Sequence, residues 1–256
     1  MQNIDPPGIA IQGQRGILEG ENSSRHGSTR KRSGLLGYGA ITALRKALIA
    51  GLFTWCGFAA TAEQVVIAAL GDSLTQGYGL VEESGFVPQL ERWLQTQGAD
   101  VRVINAGVSG DTTAGGAARV DWTLTPDVDG MIVALGGNDL LRGIDPTVSK
   151  ANLRRILDVA QGVNVPVLLI GMQAPGNYGA DYKQAFDGMY PDLAKEFDVL
   201  FTASFFEGLA AEGDPGAVSQ FMQSDGIHPN ADGVAKIVES LGPSVLKLVD
   251  QAGQAE

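Results

Sequence analysis

Two histidines occur in this chain, His26 and His228, and the second stands in a setting suited to catalysis. Asp225 precedes His228 by three residues in the sequence DGIHP, so its carboxylate can reach one imidazole nitrogen while the other faces a cleft. Far upstream, the sequence GDSLT offers Ser73, whose hydroxyl becomes a nucleophile when a neighbouring base accepts its proton. These residue types indicate a Ser-His-Asp hydrolase site. The alternative is that Asp225 caps a turn and His228 is an ordinary surface residue.

The elements that must position these residues follow a regular pattern, in which short apolar runs alternate with helical patterns. Strands are predicted at 65–70, 101–105, 131–135, 165–170 and 199–202. Helices are predicted near 85–97, 113–122, 146–161, 181–197 and 231–249. Continuous apolar runs are typical of strands buried on both faces. The alternation predicts an α/β fold, a three-layer α/β/α sandwich around a five-stranded parallel sheet.

Three polar or small residues directly follow successive strands of this predicted sheet. Ser73 follows the first strand, Gly107 the second and Asn138 the third. Ligands of open parallel sheets bind beyond the carboxyl ends of the strands, so the three residues are expected to converge. Backbone N–H groups and an asparagine amide can together bind the oxyanion of an acyl-transfer reaction. Taken singly, each residue has an ordinary alternative as a turn or helix-cap residue.

The motifs resemble those of the GDSL or SGNH hydrolase family. The matching segments are 71–75 (GDSLT), Gly107, 136–139 (GGND) and 225–229 (DGIHP). Further segments resemble the bacterial periplasmic esterases that include acyl-CoA thioesterase I, lysophospholipase L1 and arylesterases, namely 77–80 (GYGL), 172–179 (MQAPGNYG) and 190–194 (YPDLA). The resemblance covers roughly residues 65–250 and implies a flavodoxin-like fold.

The same resemblance implies a role for each site residue. Ser73 is the expected nucleophile, His228 the general base and then acid, and Asp225 the residue that orients the imidazole. The expected oxyanion hole consists of the backbone N–H groups of Ser73 and Gly107 and the side chain of Asn138. No metal and no organic cofactor is implied.

The loop after the fourth predicted strand is the candidate for substrate binding. Met172, Pro175 and Tyr178 are expected to form an apolar wall of an acyl pocket, and the alternative is an ordinary solvent loop. Apart from Arg142, no arginine or lysine accompanies the motifs. This composition favours acyl chains and neutral esters over highly charged substrates.

Charge is divided unevenly along the chain, which has 18 basic and 29 acidic residues. Residues 1–62 contain seven of the basic and three of the acidic residues, so the remainder carries 11 basic and 26 acidic residues, a net charge of −15. A domain this acidic repels phosphate backbones, which argues against nucleic acid as a partner.

Residues 1–62 have the features of a leader with a signal peptide. Two basic residues precede an apolar core at about 47–62, which ends in small residues. The core is shorter than the ~20 residues that span a bilayer, so no stable membrane anchor is expected after cleavage. Lipidation at Cys56, which lies within the core, is a minor alternative. The hydrolase domain is therefore predicted at 63–256, in the periplasm or secreted.

The sequence predicts a secreted serine esterase that hydrolyses carboxylic esters or thioesters through an acyl-enzyme on Ser73. The expected partner is a small-molecule ester or thioester. Two alternatives remain: a carbohydrate O-deacetylase on the same fold, and a non-catalytic lipid- or glycan-binding module. The intact set of Ser73, Asn138 and His228 argues against the binding module.

Overall fold

The computed structural model of the protein describes residues 64–210 and 218–254. Within them, five parallel strands form one sheet in the order β2-β1-β3-β4-β5, which confirms the predicted sheet. The strands are β1 (Val65–Gly71), β2 (Val101–Gly107), β3 (Gly130–Ala134), β4 (Val167–Ile170) and β5 (Leu200–Thr202). The predicted leader and signal peptide at 1–62 lie outside the described residues.

Long helices connect the strands, and short helices begin soon after β1, β3 and β5. The α-helices are α1 (Ser73–Gln76), α2 (Phe86–Thr96), α3 (Thr113–Thr123), α4 (Gly137–Leu141), α5 (Pro146–Gly162), α6 (Ala180–Phe197), α7 (Glu207–Ala210) and α8 (Ala231–Ala252). The long helices α2, α3, α5, α6 and α8 confirm the predicted ones, whereas the short helices were not predicted. In the described part of the chain, no helix combines the length and apolar character needed to cross a bilayer.

Local sequence signals set the ends of two long helices. Asp145 caps α5 by accepting a hydrogen bond from the Thr147 N–H at 2.8 Å, and Pro146 occupies the first helical position. Asn230 caps α8 through the Gly233 N–H at 3.0 Å. Strand β4 begins two residues later than predicted, because the Val165 N–H donates to a carbonyl in the last turn of α5.

The sheet is buried between two groups of helices. Ile67 and Leu70 of β1 and Ile132 of β3 have no exposed surface. Helices α2 and α8 pack together, with the Trp93 ring against Gly242, whereas α3, α5 and α6 pack side by side. Because parallel connections are right-handed, α2, which leads outward to β2, and α3, which leads back to β3, cover opposite faces. The predicted three-layer arrangement is therefore confirmed.

The strand order creates a crevice between β1 and β3. The chain leaves β1 toward β2 on one side and returns to β3 on the other, so the connections diverge at the carboxyl ends of the central strands. Such a switch point is where α/β sheets bind ligands. Ser73 lies two residues after β1 and Asn138 four residues after β3, so both lie at this crevice.

Candidate active site

The structure brings Ser73, His228 and Asp225 together in one hydrogen-bonded chain. The Nε2 atom of His228 lies 2.9 Å from Oγ of Ser73, and Nδ1 lies 2.7 Å from Oδ2 of Asp225. The His228 side chain is 15% exposed and that of Asp225 is 37% exposed, so the chain of hydrogen bonds runs from the cavity toward the surface. Serine, imidazole and carboxylate in this order form the arrangement that activates a serine hydroxyl.

The histidine loop, which we define as residues 221–230, is shaped by its own hydrogen bonds. Oδ1 of Asp225 accepts from the N–H groups of Ile227 at 2.9 Å and His228 at 3.0 Å, while Oδ2 is left for the imidazole. The Gln223 N–H donates to the His228 carbonyl at 2.8 Å and closes the loop. Hydrogen bonds from the backbone N–H and side chain of His228 and from the Ile227 N–H lower the pKa of Asp225 to about 2. Asp225 is therefore an anion at neutral pH.

We define residues 71–77 as the serine turn. This segment is more deeply buried than the histidine loop. Ser73 is the first residue of α1, and the first N–H groups of a helix have no carbonyl acceptor within it. Asp72 caps the helix, with Oδ1 accepting from the Leu74 N–H at 3.0 Å. Only 1% of Asp72 is exposed, and this burial raises its pKa to about 6.

Asn138 lies in the first turn of α4 and faces the serine turn. Its Nδ2 donates to Oδ2 of Asp72 at 3.2 Å. The turn before α4 needs glycine at position 136, because φ is 118° there and a Cβ would lie 2.1 Å from the Tyr190 hydroxyl. Asp139, the next residue, is fully buried and accepts hydrogen bonds from the Thr113 N–H at 2.8 Å and from two hydroxyl groups. The tight turn at Gly136 before Asn138 and the hydrogen bonds of Asp139 after it thus hold Asn138 in place.

The structure corrects the predicted role of Gly107. Its N–H donates to Oδ1 of Asn105 at 3.0 Å, and Gly107 is not among the residues that line the cavity at the site. The missing side chain serves packing instead, because a Cβ at Gly107 would lie 2.3 Å from the backbone nitrogen of Gln76 in α1.

Gly110 takes the place that was expected for Gly107. It lines the cavity together with Ser73 and Asn138, and its φ of 83° is left-handed. Its carbonyl accepts from Nη2 of Arg142 at 2.9 Å, which ties this loop to the end of α4. Among the described residues its N–H has no acceptor, so it is available to a ligand.

Comparison with known proteins places the chain in a family. The model of the GDSL-like Lipase/Acylhydrolase family matches residues 69–236. The chain belongs to this family. Esterase TesA of Pseudomonas aeruginosa is 34% identical over 207 residues, which span 80% of this chain and all of TesA. Thioesterase 1/protease 1/lysophospholipase L1 of Escherichia coli is 37% identical over 193 residues, 75% of this chain and 88% of that protein.

A solved structure agrees with these relatives. The crystal structure of AlinE4, an esterase of the SGNH-hydrolase family, has a TM-score of 0.60 and 44% identity, and covers 72% of this chain and 96% of AlinE4. The predicted family and subgroup are confirmed, and the chain is an ester hydrolase.

The cavity of this GDSL-like hydrolase measures about 650 Å³ and opens beside Ser73 and His228. This volume lies within the range of about 300 to 1,000 Å³ that is usual for small-molecule sites. Its walls are mainly apolar, with contributions from Leu74, Leu140, Leu141, Met172, Phe206 and Ile227. The hydrolase can therefore hold an apolar group next to its serine.

Of the three residues predicted to bind substrate, the structure brings only Met172 to the cavity. Pro175 and Tyr178 do not line it, because the loop turns away through the short 3₁₀ turn Gly176–Tyr178. The Tyr178 ring packs instead on Tyr182 of α6, with 4.9 Å between the ring centroids.

Sequence reasoning missed four wall residues that follow β5, namely Ala203, Ser204, Phe206 and Glu207. The rule that located Ser73 and Asn138, that ligands lie beyond the carboxyl ends of strands, applies equally to β5. The signal that could have identified these wall residues is their position shortly after a predicted strand.

Sequence reasoning also missed Arg119, which joins the ends of β1 and β2. Its Nη2 donates to the Gly71 carbonyl at 2.8 Å, Nη1 to the Ala106 carbonyl at 2.7 Å, and Nε to Asp111 at 2.7 Å. One guanidinium therefore fixes the backbone at the carboxyl ends of two neighbouring strands, β1 and β2, and no local sequence pattern marks it.

Tyr78, the residue that follows the serine turn, and Gln223 join the serine turn to the histidine loop. The Tyr78 ring packs on the His228 imidazole, with 4.6 Å between centroids and 37° between planes. Nε2 of Gln223 donates to the carbonyls of Tyr78 at 2.8 Å and Pro229 at 3.0 Å. These contacts hold the two segments of the site against each other.

Proposed function

We propose that the protein is a secreted serine esterase that hydrolyses carboxylic esters or thioesters through an acyl-enzyme on Ser73. The observation that carries the proposal is the hydrogen-bonded chain from Asp225 through His228 to Ser73 beside an apolar cavity. A binding module has no use for a serine hydroxyl aligned on an imidazole, so the intact chain favours catalysis.

In the first half of the proposed reaction, Oγ of Ser73 attacks the substrate carbonyl carbon while Nε2 of His228 takes the hydroxyl proton. Asp225, an anion, stabilises the imidazolium that results. The tetrahedral intermediate then collapses, the bond to the alkoxide or thiolate breaks, and His228 gives that leaving group its proton. The acyl group remains esterified to Ser73.

In the second half, His228 removes a proton from water, which attacks the acyl-enzyme, and Ser73 recovers its proton as the carboxylic acid leaves. The negative oxygen of each intermediate is stabilised by the N–H groups of Ser73 and Gly110 and by Asn138. An amide nitrogen carries two hydrogens, so Asn138 can donate one to Asp72 and the other to the substrate.

The cavity supports acyl groups larger than acetyl as substrates. A volume of about 650 Å³ with apolar walls is far more than an acetyl group fills. This favours an esterase or thioesterase, as the names of the relatives TesA and thioesterase 1 indicate for those proteins, over a carbohydrate O-deacetylase.

We also propose that residues 1–62 are removed on export and that the mature protein works in the periplasm or outside the cell. The proposal rests on the order of basic residues, apolar core and small residues in this segment. N-terminal sequencing of protein recovered from the periplasm and medium tests it. A start near residue 63 supports export, and a start near residue 1 contradicts it.

Hydrolysis of p-nitrophenyl esters from acetyl to palmitoyl tests the function, with wild type and Ser73→Ala compared. We expect Ser73→Ala to remain folded, with a turnover roughly 10⁴-fold or more below that of wild type. Ser84→Ala, a serine substitution outside the site, is the control and should keep the wild-type turnover. A p-nitrophenyl alkylphosphonate should phosphonylate Oγ of Ser73 with release of p-nitrophenol, as intact-mass and peptide measurements can show. Full activity in Ser73→Ala overturns the proposal, and a rate that is highest on acetyl favours the deacetylase.

A further inference from the structure

The loop that contains Gly110 is held by hydrogen bonds at both of its ends. We define residues 108–112 as the glycine loop. The Val108 N–H donates to the Gly71 carbonyl at 3.0 Å, and the Asp111 N–H donates to the Val108 carbonyl at 3.0 Å. Gly110 is the third residue of this turn, and glycine adopts its φ of 83° without strain. The direction of the Gly110 N–H therefore depends on where Val108 and Asp111 are fixed.

Arg119 of α3 connects this loop to the serine turn. Its Nη2 donates to the same Gly71 carbonyl at 2.8 Å, and its Nε donates to Oδ2 of Asp111 at 2.7 Å. The carbonyl that accepts these bonds lies two residues before Ser73. One side chain therefore joins the segment that carries the Ser73 N–H to the segment that carries the Gly110 N–H.

The ion pair between Arg119 and Asp111 occupies a space that the sequence leaves open. A Cβ at Gly115 in α3 would lie 2.3 Å from Oδ1 of Asp111, so a side chain there would displace the carboxylate. The Arg119 and Asp111 side chains are 23% and 19% exposed. Every other pair of an arginine or lysine with a carboxylate in the described part of the chain has a partner that is at least 44% exposed. Water therefore screens the pair of Arg119 and Asp111 less than the others.

We infer that Arg119 and Asp111 are positioning residues that set the distance between the N–H groups of Ser73 and Gly110, the two backbone donors of the proposed oxyanion hole. This role rests on the proposed esterase function and concerns the transition state of that reaction. Neither Arg119 nor Asp111 lines the cavity, so both act through the backbone. Hydrogen bonds to the substrate oxygen strengthen as negative charge develops on it, so a displaced donor lowers kcat more than it raises KM.

Steady-state hydrolysis of p-nitrophenyl octanoate by the full-length protein gives the first test. Arg119→Met removes the charge and all three hydrogen bonds of the guanidinium. We expect kcat to fall about 30- to 100-fold and KM to stay within about threefold, because losing one oxyanion donor costs about 10²- to 10³-fold.

Conservative variants and a matched control accompany this change. Arg119→Lys keeps the charge but replaces the planar fork by a single ammonium group, and should lower kcat about tenfold. Asp111→Asn keeps the size of the side chain, removes the ion pair and should lower kcat about fivefold. Arg154→Met is the control, because Arg154 also pairs with a carboxylate, that of Glu196, far from the cavity. Its kcat should stay within about twofold of wild type.

A second substrate separates positioning from general damage to the fold. In the O-p-nitrophenyl thionoester of octanoic acid, sulfur replaces the carbonyl oxygen, so negative charge develops on an atom that accepts hydrogen bonds weakly. We expect Arg119→Met to lower kcat/KM for the ester at least about fivefold more than for the thionoester. A variant that merely contains less active enzyme loses the same factor on both substrates.

The outcomes distinguish this role from the function on which it rests. Equal losses on ester and thionoester in Arg119→Met and Asp111→Asn overturn the positioning role and leave a serine esterase in place, as does a wild-type kcat in both variants. Where Arg119→Met does not fold, Arg119→Lys and Asp111→Asn provide the same comparison. If folded wild type hydrolyses neither the octanoyl substrates nor any other p-nitrophenyl ester, the proposed function fails as well.

Discussion

The serine turn and the histidine loop meet at one hydrogen bond but are built in opposite ways. The serine turn continues a central strand into a helix and is fixed by the core and by Arg119. The histidine loop lies at the surface and is shaped by hydrogen bonds among its own residues, with Gln223 and Asp225 as the donors and acceptors that close it. Burial positions the nucleophile, whereas local hydrogen bonds position the base.

The two aspartates of these segments show what this difference does to charge. Desolvation raises the pKa of buried Asp72 to about 6, and hydrogen bonds lower the pKa of exposed Asp225 to about 2. Each carboxylate lies one hydrogen bond from a group that the proposed reaction uses, Asn138 or His228. The same side chain therefore has two electrostatic roles, which are set by its surroundings.

Among the changes that test this contrast between the two aspartates and their segments, the largest expected effect comes from neutralising the aspartate of the histidine loop. Asp225→Asn should lower kcat roughly 10²- to 10⁴-fold, because the amide holds the imidazole in the wrong tautomer and does not stabilise its cation. Steady-state hydrolysis of a p-nitrophenyl ester measures the loss. Asp145→Asn is the matched control, since Asp145 is also an exposed capping aspartate whose pKa is lowered by hydrogen bonds. A near-wild-type kcat in Asp225→Asn would show that the histidine loop positions His228 without the Asp225 carboxylate.

The comparison also explains which parts of the site the sequence predicts. A strand followed by GDSLT, or an aspartate three residues before a histidine, is a local pattern, and the structure brings Ser73, Asp225 and His228 together. Gly107 and Gly110 both follow β2, and only the path of the loop decides which one lines the cavity. Arg119 contacts residues 13 and 48 positions away, so its role depends on the packing of three segments.

Opposite pKa shifts predict opposite pH dependence of stability for the two aspartates. With a folded pKa of about 6 against an ordinary 3.8, Asp72 keeps its proton longer in the folded state. Wild type should then lose on the order of 3 kcal/mol relative to Asp72→Asn as pH rises from about 3 to 7, with no further loss above. Urea unfolding of both proteins across this range measures the difference.

For Asp225 the folded pKa is about 2, so its stabilisation is present above pH 3.8 and is lost as pH falls toward 2. Wild type should therefore gain stability relative to Asp225→Asn as pH rises through this lower window. For each variant, the measured quantity is the difference in unfolding free energy from wild type as a function of pH. If this difference changes in the same direction with pH for Asp72→Asn and for Asp225→Asn, each in its own pH range, then the assigned direction of one of the two pKa shifts is wrong.

The smallest expected effect concerns the contact between the two segments. Gln223→Ala removes the hydrogen bonds to the carbonyls of Tyr78 and Pro229. A hydrogen bond contributes about 1 kcal/mol net, which corresponds to about fivefold in a rate. We therefore expect kcat to fall about fivefold with little change in KM. Gln89 is the matched control, because its Nε2 also donates to two carbonyls, those of Ser84 and Ala231.

Gln89→Ala should cost a similar amount of unfolding free energy and keep kcat within about twofold of wild type. Equal losses of kcat in the two glutamine variants would mean that Gln223 acts only through general stability. A loss of kcat confined to Gln223→Ala, on acetyl and octanoyl esters alike, would mean that the serine turn and the histidine loop need a direct tie. Burial holds one segment and local hydrogen bonds hold the other, so neither constraint alone sets the distance from Ser73 to His228.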